Sequence, residues 1–423
     1  MSPVSRRRAG VASGVAVAVA ASSLTFFAVA SKGETVHEAA LNDGGVWVSA
    51  TNYSQFARMN KAARQFDAGI QANVTPGAGL DVLQDGTAVG GILTTGNQLV
   101  PIDPLTGRID STSPVQLPQK AKAVDQEFVP ATGDLRGGTL AMVDPRTGKV
   151  WAQRIDAGSP LSGLTLSTAS KPLATAGGVA AMAVDTSGGV HVVSAATGKV
   201  ISIPVAGDSF GPPVTEKVEL EASAVDITAV GTRWVVYDPV QDQLFAQGLE
   251  QPVAGGADRR GGTAYAALQQ PGPESESVAL ETTTELKVIG LAGDAGQAGV
   301  RLPSQVGPGA ERPKVSRPVR LGDCVHAAWA QTAKAYYGVN CGQGQTVTAG
   351  TLDKPGDIPL RDGMALRTNR NLIVLNDLDT GDAWDLDSKP LKIDNWDSVI
   401  PPSKTDDNND DKDKNVVDDT TTP

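Results

Sequence analysis

A short phrase recurs eight times along this chain: a small-residue turn followed by an apolar strand. It stands at Gly45 (GVWVSA), Gly86 (GTAVGGIL), Gly138 (GTLAMVDP), Gly178 (GVAAMAVD), Gly231 (GTRWVVYDP), Gly262 (GTAYAALQ), Gly322 (GDCVHAAWA) and Gly363 (GMALRTN). The gaps between copies run from 31 to 60 residues and average about 45. A unit of that size made of short strands cannot bury both of its own faces, so its neighbours must cover them. The chain therefore reads as an array of like units.

A second phrase follows the first in most units: an apolar strand, then Asp-Pro-x-Thr-Gly or a relative, then another strand. It reads Asp103-Pro104-Leu105-Thr106-Gly107, Asp144-Pro145-Arg146-Thr147-Gly148 and Ser194-Ala195-Ala196-Thr197-Gly198, with weaker copies at Asp238–Asp242 and Asp377–Gly381. The chemistry suits a hairpin. Asp accepts from backbone N–H groups ahead of it, Pro presets φ, and Gly supplies the left-handed residue that ends the turn. The flanks, such as Lys149–Ile155 and Lys199–Ile203, are short, β-branched and alternating. In Ser54–Ala68, Phe56, Met59, Ala63 and Phe66 recur at helical spacing. A strand pair is still favoured there, because Asn60–Arg64 falls where the turn phrase is due.

Periods of 40–50 residues with several short strands per unit mark propeller blades. The expected fold is all-β: a β-propeller of about eight four-stranded blades over residues 44–400. The gaps of 31 and 60 residues leave seven blades open as well. Ring closure is expected from Leu391–Val399 beside Val46–Ala50, and the Pro-rich interval Leu302–Pro318 is expected as an inter-blade loop. A pair of β-sandwiches would not carry one phrase across the whole span.

The two ends differ from this body. Residues 1–8 form a basic segment with Arg6, Arg7 and Arg8, and residues 9–30 are uncharged. Twenty-two helical residues reach roughly 33 Å, enough to cross a hydrocarbon core. The arginines keep that end in the cytoplasm, so the bulk is expected outside it. A retained single-pass anchor is favoured, because signal-peptide apolar regions run shorter; cleavage near Ala30, after the small-x-small Ala28-Val29-Ala30, is the alternative. Residues 31–43 then read as a linker. From Lys404 onward the chain holds seven Asp and three Lys without apolar periodicity, so 401–423 reads as a disordered acidic linker or tail. Ending in such sequence, the chain is expected to be a fragment of something longer.

The remaining composition narrows function. Cys324 and Cys341 are the only cysteines, and they flank two apolar runs that read as adjacent strands. Outside the cytoplasm facing cysteines oxidise and persist, so a structural disulfide is expected. With 36 basic and 47 acidic residues the net charge is −11, and the pI is near 4.9. That balance argues against a phosphate backbone as partner, so no nucleic acid is expected. Three histidines, His37, His191 and His326, do not make a His-rich metal site.

Leu41-Asn42-Asp43-Gly44-Gly45-Val46-Trp47-Val48, with Gln55–Lys61, Phe66–Ile70 and Gly322–His326, resembles the start of large actinobacterial surface proteins. The resemblance implies an N-terminal membrane segment, a propeller-like region, and then Ig-like, cadherin-like or fibronectin type III repeats. No Ig-like repeat is present here. The family brings no catalytic residues, and its implied role is binding at the cell surface.

Three motifs mimic chemistry. Gly207-Asp208-Ser209-Phe210-Gly211 matches G-x-S-x-G, but Pro212 and Pro213 follow where a helix should begin, so a loop is expected. Val143–Trp151 resembles one repeat of quinoprotein dehydrogenases, in which the Trp docks blades; no cofactor cluster accompanies it. Asp377, Asp379, Gly381 and Asp382 resemble a calcium loop but miss its fifth, sixth and twelfth positions, Ser388 standing at the last, so a hairpin turn is the default. His191 and His326 read as packed or hydrogen-bonded strand residues.

The expected function is a non-catalytic binding or scaffold module at the cell envelope, with an envelope protein or cell-wall glycan as partner and the membrane reached through residues 9–30. No catalytic, cofactor or metal residue is expected, and no cofactor. The rival is a polysaccharide-active or other hydrolase on the same fold, which needs carboxylates converging on the central channel; Asp81, Asp185 and Asp226 are the candidates. A sensor domain is disfavoured, since only Met1–Arg8 would remain inside.

Overall fold

The computed structural model describes residues 45–399, apart from 76, 111–112, 121–130, 157, 222–224, 258, 261–262, 292–297, 305–312, 333, 343–347, 354–362 and 388–389. The basic segment 1–8, the apolar segment 9–30, the linker, His37, Gly262 and the acidic tail 401–423 lie outside the described residues. Among the described residues there is no helix long and apolar enough to cross a membrane.

Among the described residues eight antiparallel sheets of three or more strands follow one another along the chain, with two small two-stranded hairpins beside them. Their innermost strands are Gly45–Ala50, Leu80–Asp85, Gly133–Arg136, Ala180–Val184, Asp226–Val230, Ala266–Leu268, the split pair Lys314–Val315 and Val319–Leu321, and Met364–Asn369. Numbered in that order, they define blades 1 to 8 of a β-propeller. The question of seven or eight blades is thereby answered as eight.

Burial explains why the units stack. In Ala180-Ala181-Met182-Ala183-Val184 every residue is buried. Side chains alternate across a strand. Ala180, Met182 and Val184 accordingly join a cluster with blade 3, while Ala181 and Ala183 join one with blade 5. Among the described residues the apolar core divides into eight such clusters, each drawn from two adjacent blades. Trp151 lies in the cluster between blades 2 and 3, and its indole N–H donates to the Ser170 carbonyl at 2.9 Å.

The Asp-Pro-x-Thr-Gly phrases are hairpin turns. Asp144 accepts from the Arg146 N–H at 3.0 Å and the Thr147 hydroxyl at 2.8 Å, and Asp103 repeats this with Leu105 and Thr106. Gly148 then has φ +65°, and a Cβ there would strike the Gly177 carbonyl. Ser54–Ala68 is a strand pair, Gln55–Asn60 against Gln65–Gln71, with the turn at 61–64.

Several expectations need correction. The glycine phrase does not mark one position: Gly45 and Gly178 stand at or just before an innermost strand, whereas Gly86, Gly138 and Gly231 sit in the turn after it. That offset accounts for part of the unevenness, the innermost strands themselves starting at unequal intervals. Leu302 and Pro303 end the outer strand of blade 6, and Lys314–Val315 opens blade 7, so the Pro-rich interval is not wholly a loop. Blade 1 has three strands among the described residues, not four.

Closure falls where expected, Ile393, Trp396 and Val399 packing with Val46, Val48 and Ala50, but by packing rather than by strand pairing among the described residues. Leu391–Ile393 is the outer strand of blade 8 and pairs with Ala383–Asp385. The short 3-10 turn Trp396–Ser398 packs Trp396 on Phe66 of blade 1, ring centroids 4.7 Å apart. Among the described residues no strand is shared between blades 1 and 8, and amide side chains bridge the seam. Asn376 accepts from the Ser49 N–H and donates to the Ser49 carbonyl, both at 3.1 Å. Asn395 does the same to Phe66 at 2.9 and 3.1 Å. Each amide reproduces one peptide pair of a β-ladder.

Cys324 and Cys341 form the disulfide. They stand one step beyond the paired residues Val325 and Asn340 on neighbouring strands of blade 7. Replacing both by Ser removes a loop constraint worth roughly 3 kcal/mol. Denaturant midpoints of the oxidised protein and the double variant measure it; equal midpoints would refute it.

Candidate functional site

The innermost strands enclose a cavity of about 480 Å³, with lining residues from all eight blades. Its charged residues are Asp81, Asp134 and Asp226 against Lys120, Arg136, Lys314, Arg317 and Arg367. Three carboxylates thus face five cations, a positive surplus inside a protein whose net charge is −11.

Each carboxylate is committed to the framework. Asp81 accepts from the next backbone N–H, Val82, at 2.8 Å and pairs with Arg367 of blade 8 at 2.5 Å. Asp134 accepts from Leu135 N–H and, across the blade boundary, from Val184 N–H, both at 2.9 Å. Asp226 accepts from Ile227 N–H at 2.8 Å, from Leu268 N–H of blade 6 at 2.9 Å, and from Arg317 of blade 7 at 2.8 Å. Burial raises the Asp226 carboxyl above its ordinary range, with the Arg317 guanidinium pulling the other way. Arg317 reaches this far because the innermost strand of blade 7 breaks at Ser316–Pro318, proline being unable to donate to a ladder.

Asp81 and Asp226 therefore line the channel, as the hydrolase reading required. Asp185 does not: it lies in the turn of blade 4 and accepts from Ser187 N–H and Gly189 N–H at 2.8 and 2.9 Å. His191 bridges it to Ser202, Nε2 to Asp185 at 3.1 Å and Nδ1 to the hydroxyl at 2.9 Å. Burial opposes charge on Asp185, but the bonds from His191, Ser187 and Gly189 outweigh it and hold the carboxyl below its ordinary value. Ser, His and Asp are in line, yet none of the three lines the channel. The string joins neighbouring strands.

The other motifs are structural as well. Ser209 lies in the small hairpin Val205–Ala206 against Ser209–Phe210, and its side chain is exposed. Asp377 accepts from Asp379 and Thr380 N–H at 3.0 and 3.2 Å, closing the expected turn, while Asp382 meets Lys392 at 3.0 Å.

His326 is buried in Cys324–Ala330, and its Nδ1 has no partner among the described residues. Burial, reinforced by Lys61, lowers its pKa to about 4. The unfolded state then binds a proton that the folded state refuses between about pH 6.5 and 4. Stability is complete above that window and falls by up to about 3 kcal/mol as pH drops through it. Comparing urea midpoints of wild type and His326→Gln at neutral and acid pH checks this; parallel pH profiles would overturn it.

Asp134, Arg136, Arg317 and Arg367 escaped sequence reading. One signal was available for the acids: Asp81, Asp134 and Asp226 each stand four or five residues before the glycine of the first phrase (Gly86, Gly138, Gly231).

These features define an eight-bladed β-propeller with a polar, ion-paired central channel. No family model matches the sequence, and no curated protein matches it. Similar solved structures include Kluyveromyces lactis Hsv2, at 12% identity and TM-score 0.47, covering 74% of this chain and 97% of that one. Apo AztD from Citrobacter koseri has 12% identity and TM-score 0.38, covering 74% and 99%. A Lactobacillus plantarum protein has 16% identity and TM-score 0.38, covering 73% and 92%. At this distance the likeness carries nothing about ligand or activity, and the propeller assignment rests on the sheets themselves.

Proposed function

We propose that this propeller is an extracytoplasmic, membrane-tethered binding module of the bacterial cell envelope, of the surface-protein kind its opening phrases resemble. Its partner is an envelope protein or a cell-wall glycan, and it performs no catalysis. The observation that carries the reading is the state of the channel carboxylates: Asp81, Asp134 and Asp226 each hold backbone N–H groups, and two of them also hold an arginine. General acid–base work needs a carboxyl that can exchange its proton with substrate. The Cys324–Cys341 disulfide and the arginine-flanked apolar segment 9–30 support the compartment.

Fractionation with protease shaving of intact cells tests the placement. The propeller is expected in the membrane fraction and accessible from outside; recovery from the cytosol refutes it. Incubation with cell-wall glycan tests the activity: retention without new reducing ends is expected. The hydrolase reading draws on the fact that Asp81, Asp134 and Asp226 share one cavity. It takes over if glycan is cleaved and Asp226→Asn abolishes the cleavage.

A further inference from the structure

We infer that the central channel binds a small polar molecule carrying an oxyanion, with Arg136 as its principal contact. The inference rests on the reading of the propeller as a binding module and names the ligand chemistry of that module.

The cations of the channel are not equivalent. Arg317 and Arg367 are each paired with an aspartate. Arg136 is different: no ion pair joins it among the described residues, and its Nε is buried without a hydrogen-bond partner. Asp134 sits two positions earlier on the same face of the strand, but both of its oxygens are taken by backbone N–H groups. The Nε of Arg367 is likewise buried and unpartnered, although its other nitrogens bind Asp81 and the Val82 carbonyl. Arg136 thus brings to the cavity wall a guanidinium with no counter-ion among the described residues, a role the oxyanion of a ligand would fill.

Chemistry and size then limit the ligand. A guanidinium fork matches a planar carboxylate or a phosphate edge, and low-dielectric walls strengthen its field inside a cleft. The acidic surface that argues against a nucleic-acid partner does not cancel this local surplus, because the field of surface charges is screened out beyond about 10 Å. A cavity of about 480 Å³ suits a monosaccharide-sized molecule rather than a polymer threaded end to end. The shared chemistry is that of a sugar acid and a sugar phosphate.

Calorimetric titration of the full chain with glucuronate, glucose 6-phosphate and glucose is the test. At least one anion is expected to bind and glucose is not, with affinity falling as salt rises. The carboxylate and phosphate arms identify the source. Arg136→Ala is expected to weaken binding by about ten- to a hundredfold, with Arg136→Lys recovering part of the loss. Circular dichroism confirms that each variant is folded, and Arg136→Gln serves where the alanine variant is not. No binding of either anion, equal binding of glucose, or indifference to Arg136 overturns the assignment. Retention of wall glycan without anion binding sinks this site and leaves the module standing. Conversion of a bound anion to product sinks the non-catalytic reading and leaves the site.

Discussion

Arg317→Ala is expected to destabilise the propeller by about 3–5 kcal/mol, the cost of stranding a buried carboxylate by removing its partner. Asp226 is only 5% exposed. The guanidinium that meets it also donates to the Ile227 carbonyl at 2.9 Å and the Leu268 carbonyl at 3.2 Å, so one side chain of blade 7 ties blades 5 and 6 as well. The sign of the pH dependence is specific. Without the arginine, burial lifts the Asp226 carboxyl further, so the folded state holds a proton that the unfolded state releases. Stability of the variant then falls as pH rises above the ordinary aspartate range, and its deficit is larger at neutral than at mildly acid pH. Denaturant midpoints at the two pH values measure both effects. A deficit below about 1 kcal/mol, or one independent of pH, would remove Arg317 from this role.

Lys61→Ala is expected to cost a similar amount but to act at one seam. Lys61 is buried in the turn of blade 1 and reaches into blade 8, meeting Asp385 and the Ile373 carbonyl, each at 3.1 Å, as well as Asp387. Asp385 is itself buried, and truncation leaves it with the Asp387 N–H at 3.2 Å and, as its nearest cation, the exposed Arg64 at 3.9 Å. Among the described residues blades 1 and 8 share no strand, so weakening this seam lets the ring open there first. Hydrogen exchange is expected to show protection lost in Gly45–Ala50 and Met364–Asn369 while Ala180–Val184 keeps its own. Uniform loss across all blades would contradict the seam. The same variant should raise the His326 pKa from about 4, because Lys61 is the second cause of its depression.

Much of the architecture was legible because it is written locally and repeated. Asp144 to Gly148 carries every group its turn uses, so the hairpin could be read without knowing what surrounds it. The period gave about eight blades, with seven left open until the sheets were in place, and the facing cysteines followed from the strands that flank them. The channel was harder. Asp81 and Asp226 could be named, but Asp185 looked the same in sequence, and only position in the ring separates a channel carboxylate from a turn cap. The arginines were out of reach: Arg317 lies 91 residues from Asp226, and Arg367 lies 286 from Asp81. Strands as short as Ala266–Leu268, and strands buried on both faces such as Ala180–Val184, carry no alternation by which to place their ends.

Residue order alone therefore settled the unit: short strands, Asp-capped turns, and faces too apolar to stand unpaired in water. It could not settle how the last unit meets the first, or which charges face the axis. Those depend on bringing residues hundreds of positions apart within hydrogen-bond reach. Asn376 became a substitute for a β-ladder, and Arg136 a cation without a counter-ion among the described residues, only once eight sheets had closed around a common centre.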